Sequence, residues 1–323
     1  ETPSSSTRTT PNYMAETTFD LLKPVKHGKP KNVFLVIMDG VRYSESFGDP
    51  DHRYIPHLWH DLRPLGTIKS KFYNNDLTKT VPGHTSMLSG RWQKIKNDGT
   101  ERPHDPTIFE YFRKQTNAPA SKTWVITPHM NMFSTNYSDA KGFGEAFGAS
   151  LDSPVFHRQT PPPVNANMGE LVRTGDEAVF DILKYVMNRD EPNLTLVNFG
   201  QTDIQGHQGT WRGYTEAIEN ADRLIYFLWL EIQRHPHYKD KTSMIVTNDH
   251  GRHLDDVATG FQDHGGTDEG CRRVMFLAAG PDIQVGKVID TPGELIDIGP
   301  TVASILDIEM PQVEGRVIQG MFR

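Results

Sequence analysis

Asn32-Val33-Phe34-Leu35-Val36-Ile37-Met38-Asp39-Gly40 decides how this chain is read: an apolar run that stops on a carboxylate and a glycine. A run this short and unbroken suits a parallel strand covered on both faces, where no position meets water and alternation disappears. The pattern recurs at Leu194-Thr195-Leu196-Val197-Asn198-Phe199, Ser243-Met244-Ile245-Val246-Thr247 and Val274-Met275-Phe276-Leu277-Ala278, with a fifth candidate at Thr123-Trp124-Val125-Ile126-Thr127. Helical spacing of apolar residues marks Gly169 to Val186 and Tyr214 to Gln233, the second through Ala217, Ile218, Ala221, Leu224, Ile225 and Leu228. A shorter helix is expected over Asp297 to Leu306. Strands alternating with helices predict an α/β fold, a mostly parallel central sheet with helices on both faces.

Ligands of such sheets bind beyond the carboxyl ends of the strands. Three expected strand ends lead into metal-ligating residue types there: Asp39 after the first, Asp203-Ile204-Gln205-Gly206-His207 after Phe199, and Asp249-His250-Gly251 after Thr247. Asp203 and His207 are four apart and share one side of a helical turn. Gly206 and Gly209 are expected to let the backbone bend around them. Alone, a D-x-x-G-H segment is commonplace, and Asp249 could equally cap a surface turn. Asp263-His264-Gly265-Gly266 adds a further imidazole; His264 is the expected ligand, with Asp263 possible and His253 as the fallback. Carboxylates and imidazoles together suit divalent ions of the zinc type.

Lys79-Thr80-Val81-Pro82-Gly83-His84 supplies a hydroxyl. Thr80 reads first as a helix N-cap, with Pro82 in the first turn. The same position suits catalysis, because a helix N-terminus offers N–H groups and partial positive charge to an anion, and a hydroxyl close to divalent ions can become a nucleophile.

The bounds are ordinary. A chain of 323 residues is long enough for one α/β domain with insertions, expected over 31–323 after a disordered tail at 1–30. The net charge of −7 and a pI near 6.1 argue against a nucleic-acid-binding surface. The single cysteine, Cys271, excludes an internal disulfide framework and reads as a small buried apolar residue. The apolar run Leu224 to Leu230 is far shorter than the roughly 20 residues that a membrane span requires. The Ser/Thr/Pro-rich stretch from Pro3 to Pro11 is expected as a tether left by an export signal, placing the protein in the periplasm or outside the cell. Residues 129–167, rich in Gly, Ser, Asn and aromatics and closed by Pro161-Pro162-Pro163, break the strand–helix rhythm. They are expected as a small cap over the rim that selects substrate, or else as a long surface loop with its own aromatic cluster.

The series Asp39-Gly, Thr80-x-Pro-Gly-His, Asp203-x-x-Gly-His, Asp249-His250-Gly and His264-Gly resembles the alkaline phosphatase superfamily in order and approximate spacing. The resemblance runs from about Lys31 to the end. Its Lys79-Thr80-Val81-Pro82 context is most similar to the nucleotide pyrophosphatase/phosphodiesterase branch. It implies two divalent ions, expected as Zn2+, with Asp39, Thr80, Asp249 and His250 on one and Asp203, His207 and His264 on the other. It implies Thr80 as nucleophile through a phosphothreonine, and Asn97 as the nearest candidate for a phosphoryl-oxygen contact, although Gly90-Arg91-Trp92-Gln93-Lys94 departs from the branch's wording. Lys79 is expected beside the substrate. Sulfatase relatives need a Cys or Ser for conversion to formylglycine where this chain has Thr80. Cofactor-independent phosphoglycerate mutases use Ser and carry a large inserted domain for which the chain has little room.

The expectation is thus a two-metal phosphoric ester hydrolase of phosphodiesterase or nucleotide pyrophosphatase type, acting on a small phosphoric ester, a nucleotide-like one among the candidates. The alternatives are a phosphomonoesterase, a phosphonate hydrolase, a sulfatase-like enzyme and a non-catalytic metal-binding relative.

Overall fold

The computed structural model describes residues 21–25, 28–157 and 175–323. Ten strands run in chain order: β1 (Asn32–Met38), β2 (Gly66–Lys69), β3 (Phe72–Tyr73), β4 (Thr123–Ile126), β5 (Ser150–Asp152), β6 (Leu194–Phe199), β7 (Thr242–Thr247), β8 (Phe276–Ala279), β9 (Lys287–Ile289) and β10 (Gly293–Glu294). Eight form one sheet in the order β5-β4-β6-β1-β7-β8-β2-β9, and β3 pairs with β10 apart from it. The central neighbours β4, β6, β1 and β7 are mutually parallel, and β8 runs antiparallel to both β7 and β2. The α/β architecture expected from the sequence is the one observed.

Every residue of β1 is buried, and its side chains divide between two cores. Phe34, Val36 and Met38 join one core with Leu183, Ile218, Ile225 and Trp229. Val33, Leu35 and Ile37 join the other with Leu88, Phe109 and Val302. The first core is covered by the helices Asp176–Asp190 and Trp211–Arg234, the second by Thr80–Ser89, Ile108–Thr116 and Ile298–Leu306. A strand walled in on both sides has no solvent face, which is why its sequence shows no alternation.

Several boundaries move. The last expected strand begins two residues later, at Phe276, because Met275 N–H bonds to Asn248 Oδ1 and Val274 N–H to Phe72 O. Strands β2 and β9 went unread: they are short, and β9 is half solvent-facing at the sheet edge. The helix expected from Gly169 is described from Asp176 to Asp190, its expected start lying outside the described residues. Of the expected tail, 1–20, 26 and 27 lie outside the described residues; Leu21 and Val25 are buried, and Trp229 Nε1 donates to Leu21 O at 3.2 Å. Of the expected cap, 129–157 is described. It adds β5 to the sheet edge, parallel to β4, and pairs the rings of Phe133 and Phe156 at 4.8 Å.

Candidate metal centre

Four adjacent strand ends deliver side chains to one rim. Asp39 follows β1, and its Oδ2 accepts from Asn198 Nδ2 at 2.8 Å while Oδ1 has no hydrogen-bond partner. Asp249 and His250 follow β7. Asp249 Oδ1 accepts Gly40 N–H at 3.2 Å, and its unpartnered Oδ2 lies 3.3 Å from His250 Nε2. His250 Nδ1 sits 2.8 Å from Gly251 O. A carbonyl can only accept, so Nδ1 carries the proton and Nε2 presents a lone pair to the centre. Around that lone pair stand Thr80 Oγ1 at 3.4 Å and Asp39 Oδ1 at 3.6 Å.

A second cluster adjoins the first. The helix Gln201–His207 puts Asp203 and His207 on one side, with His207 Nε2 3.4 Å from Asp203 Oδ1. His264 Nδ1 donates to Thr78 O at 2.9 Å, freeing Nε2, which lies 3.5 Å from Asp203 Oδ1 and 3.1 Å from His207 Nε2. The stacked rings of His250 and His264, 3.9 Å apart, join the clusters.

Donors about 2.0 to 2.1 Å from a tetrahedral ion stand about 3.3 to 3.4 Å from one another. The contacts in both clusters run from 3.1 to 3.6 Å between lone-pair donors, so the residues present fit two cations. Electrostatics agree. Burial, then the charge of Asp203, pushes the Asp249 carboxyl up to about 8, and burial with Asp249 beside it raises Asp39. Burial also pushes Asp203 up, but the Arg252 guanidinium paired with it holds the carboxylate well below its usual range. Burial and the neighbouring His264 keep His250 neutral, as a ligand must be.

Thr80 differs from its sequence reading. Lys79 is the N-cap of the helix Thr80–Ser89, and no side chain of the cap residue bonds to it. Thr80 is the first helical residue, and its hydroxyl is turned toward His250. The capping bond comes from Asn97, whose Oδ1 accepts Val81 N–H at 2.8 Å. That contact assigns Oδ1 as the acceptor of the amide. Pro82 has no N–H, and Val81 N–H is engaged by Asn97. Gly83 lets this helix approach Asp249: a Cβ there would come within 3.0 Å of Asp249 O. Lys79 is exposed, and its side chain runs over Gly265, next to His264.

Gly206 also plays another part than the expected bend. Its φ is not positive, whereas that of Gly209 is 77°. A Cβ on Gly206 would lie 2.5 Å from Arg252 Cζ, so the space belongs to the arginine. The fallback His253 is absent from the centre; it donates to Asp268 at 2.7 Å and stands 3.4 Å from Cys271 Sγ, which is buried. Asp263 gives one oxygen to His264 N–H at 2.8 Å and lies near enough to His207 and His264 to join them.

Sequence reading missed four residues of this site. His84 Nδ1 donates to Thr80 O at 2.9 Å and lies 3.3 Å from Asp249 Oδ2. Asn198 holds Asp39, and Arg252 holds Asp203. His129, after β4, has its Nε2 buried without a hydrogen-bond partner 3.4 Å from Asp39 Oδ2. A strand end followed by His was the available signal for His129, but Pro128 and the irregular sequence beyond it pointed to a loop. His84 stands in the quoted Thr80-x-Pro-Gly-His segment, four residues after Thr80, but was given no role there; Asn198 and Arg252 carry no spacing signal.

Residues 129–310 match the metalloenzyme superfamily, which is more than half of the chain. The chain belongs to that family, the alkaline phosphatase-like metalloenzymes. Among curated relatives, the 2,3-bisphosphoglycerate-independent phosphoglycerate mutase of Haloquadratum walsbyi is 32% identical over 126 residues, 39% of this chain and 23% of the mutase. The corresponding mutase of Rhodopirellula baltica is 24% identical over 197 residues, 58% of this chain and 32% of its own. The chain thus matches about a quarter to a third of the length of these relatives. Murine ectonucleotide pyrophosphatase/phosphodiesterase 5 has the same fold at a TM-score of 0.61 and 14% identity, covering 90% of this chain and 100% of its own. A lipoteichoic acid synthase from Listeria monocytogenes does so at 0.62 and 15%, covering 92% and 79%. A metalloenzyme of this family uses divalent metal ions. No helix among the described residues is long and apolar enough to cross a membrane.

Proposed function

We propose that this metalloenzyme hydrolyses phosphoric esters, with Thr80 as nucleophile and two divalent ions, zinc first among them, on the two ligand sets. The observation that carries the reading is the Thr80 hydroxyl: released from capping by Asn97, it stands 3.4 Å from the lone pair of His250 Nε2, inside the first set. Divalent ions in the two sets would lower the pKa of a neighbouring hydroxyl and polarise the phosphoryl oxygens. Thr80 Oγ1 forms a bond to phosphorus as the bond to the leaving oxygen breaks, and the Thr80 proton ends on the released alcohol. Water then displaces Thr80 from the phosphothreonine, its hydroxyl going to phosphorus and its other proton to Thr80 Oγ1. In this reading Asn97 Nδ2 and Thr80 N–H hold a phosphoryl oxygen, and Lys79 meets the substrate as it enters.

Among substrates we favour diesters or nucleotide-like esters. The Lys79-Thr80 context supports this, as does the aromatic pair Phe133–Phe156, with Phe156 43% and neighbouring Met130 64% exposed on the segment that follows β4. An aryl group or base would stack there, making residues 129–157 the selecting cap. One observation favours a phosphomonoesterase instead: His129 beside Asp39 offers a further donor for the extra oxyanion charge of a monoester. Rates on an aryl phosphate, a bis-aryl phosphate and an aryl sulfate, with zinc and with manganese, test the reading. Diester turnover well above the other two is expected. A monoester rate far above the diester rate overturns the substrate preference, and no turnover of any phosphorus ester overturns the function.

A further inference from the structure

We propose that Arg252 is the positioning residue of the second ligand set, a bracket that fixes Asp203 and the loop carrying His264 relative to one another. The inference rests on the two-ion reading above.

Arg252 is fully buried. Its guanidinium makes contacts in two directions. Nη1 donates to Asp203 Oδ1 at 2.5 Å, the same oxygen that faces His207 Nε2 and His264 Nε2. Nε donates to Phe261 O and Nη2 to Gln262 O, the latter at 3.2 Å. Those carbonyls lie three and two residues before His264. One rigid planar group therefore ties a ligand on the helix Gln201–His207 to the backbone that delivers another ligand from a separate loop.

The surroundings are shaped for this group. A Cβ on Gly206 would come within 2.5 Å of Arg252 Cζ, and one on Gly40 within 2.9 Å of Nη1. Gly40 follows the ligand position Asp39 and Gly206 precedes His207, and both leave the space that the guanidinium fills. The first ligand set is held differently. Asp39 leans on Asn198, Asp249 on Gly40 N–H, and His250 on its neighbouring carbonyl. None of these ligands touches Arg252. Partners behind a metal ligand typically contribute 10- to 100-fold to ion affinity, and the fork geometry of an arginine is not reproduced by a lysine.

Zinc content, measured by elemental analysis after equilibrating the loaded protein with graded chelator, separates the sets. Wild-type protein should hold two equivalents. Arg252→Met should keep one and release the other at about 10- to 100-fold lower chelator. Gly206→Ala leaves every ligand and the arginine in place but forces the guanidinium aside, and it should show the same selective loss should the methionine variant fail to fold. Arg252→Lys, a cation without the fork, should recover part of the difference. Two equivalents released as in wild type by Gly206→Ala and by a folded Arg252→Met, or both equivalents lost together from a folded variant, would overturn the proposal. Fewer than one equivalent in the wild-type protein would instead overturn the two-ion reading itself.

Discussion

His207 Nε2 faces His264 Nε2 at 3.1 Å, and the His264 nitrogen is a bare lone pair because its Nδ1–H is committed to Thr78 O. Asp203 Oδ1 completes the triangle at 3.4 and 3.5 Å. Three electron-rich atoms converge with at most one proton to share, an arrangement that a cation relieves. His207→Ala should therefore lower bound zinc from two equivalents to one while the set around His250 keeps its ion. His207 is the ligand to change because its side chain is 43% exposed, so truncation opens no core cavity. Loss of both equivalents, or of neither, would separate His207 from the second ion.

Thr80→Ala should lower turnover by about a thousandfold or more, since removal of a nucleophile leaves only binding and electrostatic assistance. The helix should survive, because its capping bond comes from Asn97 and not from Thr80. Thr80→Ser keeps a hydroxyl and should keep part of the activity. Steady-state rates beside far-ultraviolet circular dichroism decide this, and near-normal turnover by a folded Thr80→Ala removes the residue from the chemistry.

The proposed function gives Asn97 a second duty beside its cap. Its Oδ1 caps Val81 N–H, worth about 1 kcal/mol in comparable caps. Its Nδ2 is free to hold a phosphoryl oxygen, and the loss of one such donor costs about 10²-fold in kcat. Asn97→Asp preserves the acceptor and replaces the donor with a repelling oxygen, so it should keep thermal stability yet lose activity at least as badly as Asn97→Ala. Equal activity in the aspartate variant and the wild type would leave Asn97 a cap and nothing more.

Ion binding should be linked to pH through Asp249. Its carboxyl is pushed up to about 8, by burial first and by the charge of Asp203 second. An unfolded aspartate titrates near 3.9, so between about 4 and 8 the ion-free fold retains a proton that the unfolded chain has released. Stability of the ion-free protein from this group consequently falls as pH rises through that window and is level above it. A cation that takes the proton's place recovers what was lost. The gain in Tm on adding zinc should be larger at about pH 8.5 than at about pH 6. Calorimetry showing an equal or smaller gain at the higher pH would contradict the linkage.

The sequence carried the sheet and the ligand motifs because both have local signatures. β1 reads as buried on two faces from seven consecutive residues, and Asp203 and His207 reveal a shared helix face by their spacing alone. What lay hidden depends on contacts between segments far apart in the chain. Asn97 takes over the cap of a helix that starts at Thr80, Arg252 claims the space beside Gly206, and His129 reaches Asp39 from a strand two places away in the sheet. Gly206 is instructive: read locally it promises a bend, while in three dimensions it marks a close approach. The short strands β2 and β9 at one side of the sheet escaped for a related reason, since their pairing and not their own apolar content defines them.

The central claim is covalent transfer of the phosphoryl group to Thr80, and the stereochemical course at phosphorus tests it most directly. With a substrate made chiral at phosphorus by oxygen isotopes, two successive in-line displacements, first by Thr80 and then by water, predict net retention. Net inversion would mean a single direct attack by water, and Thr80 would then not be the nucleophile.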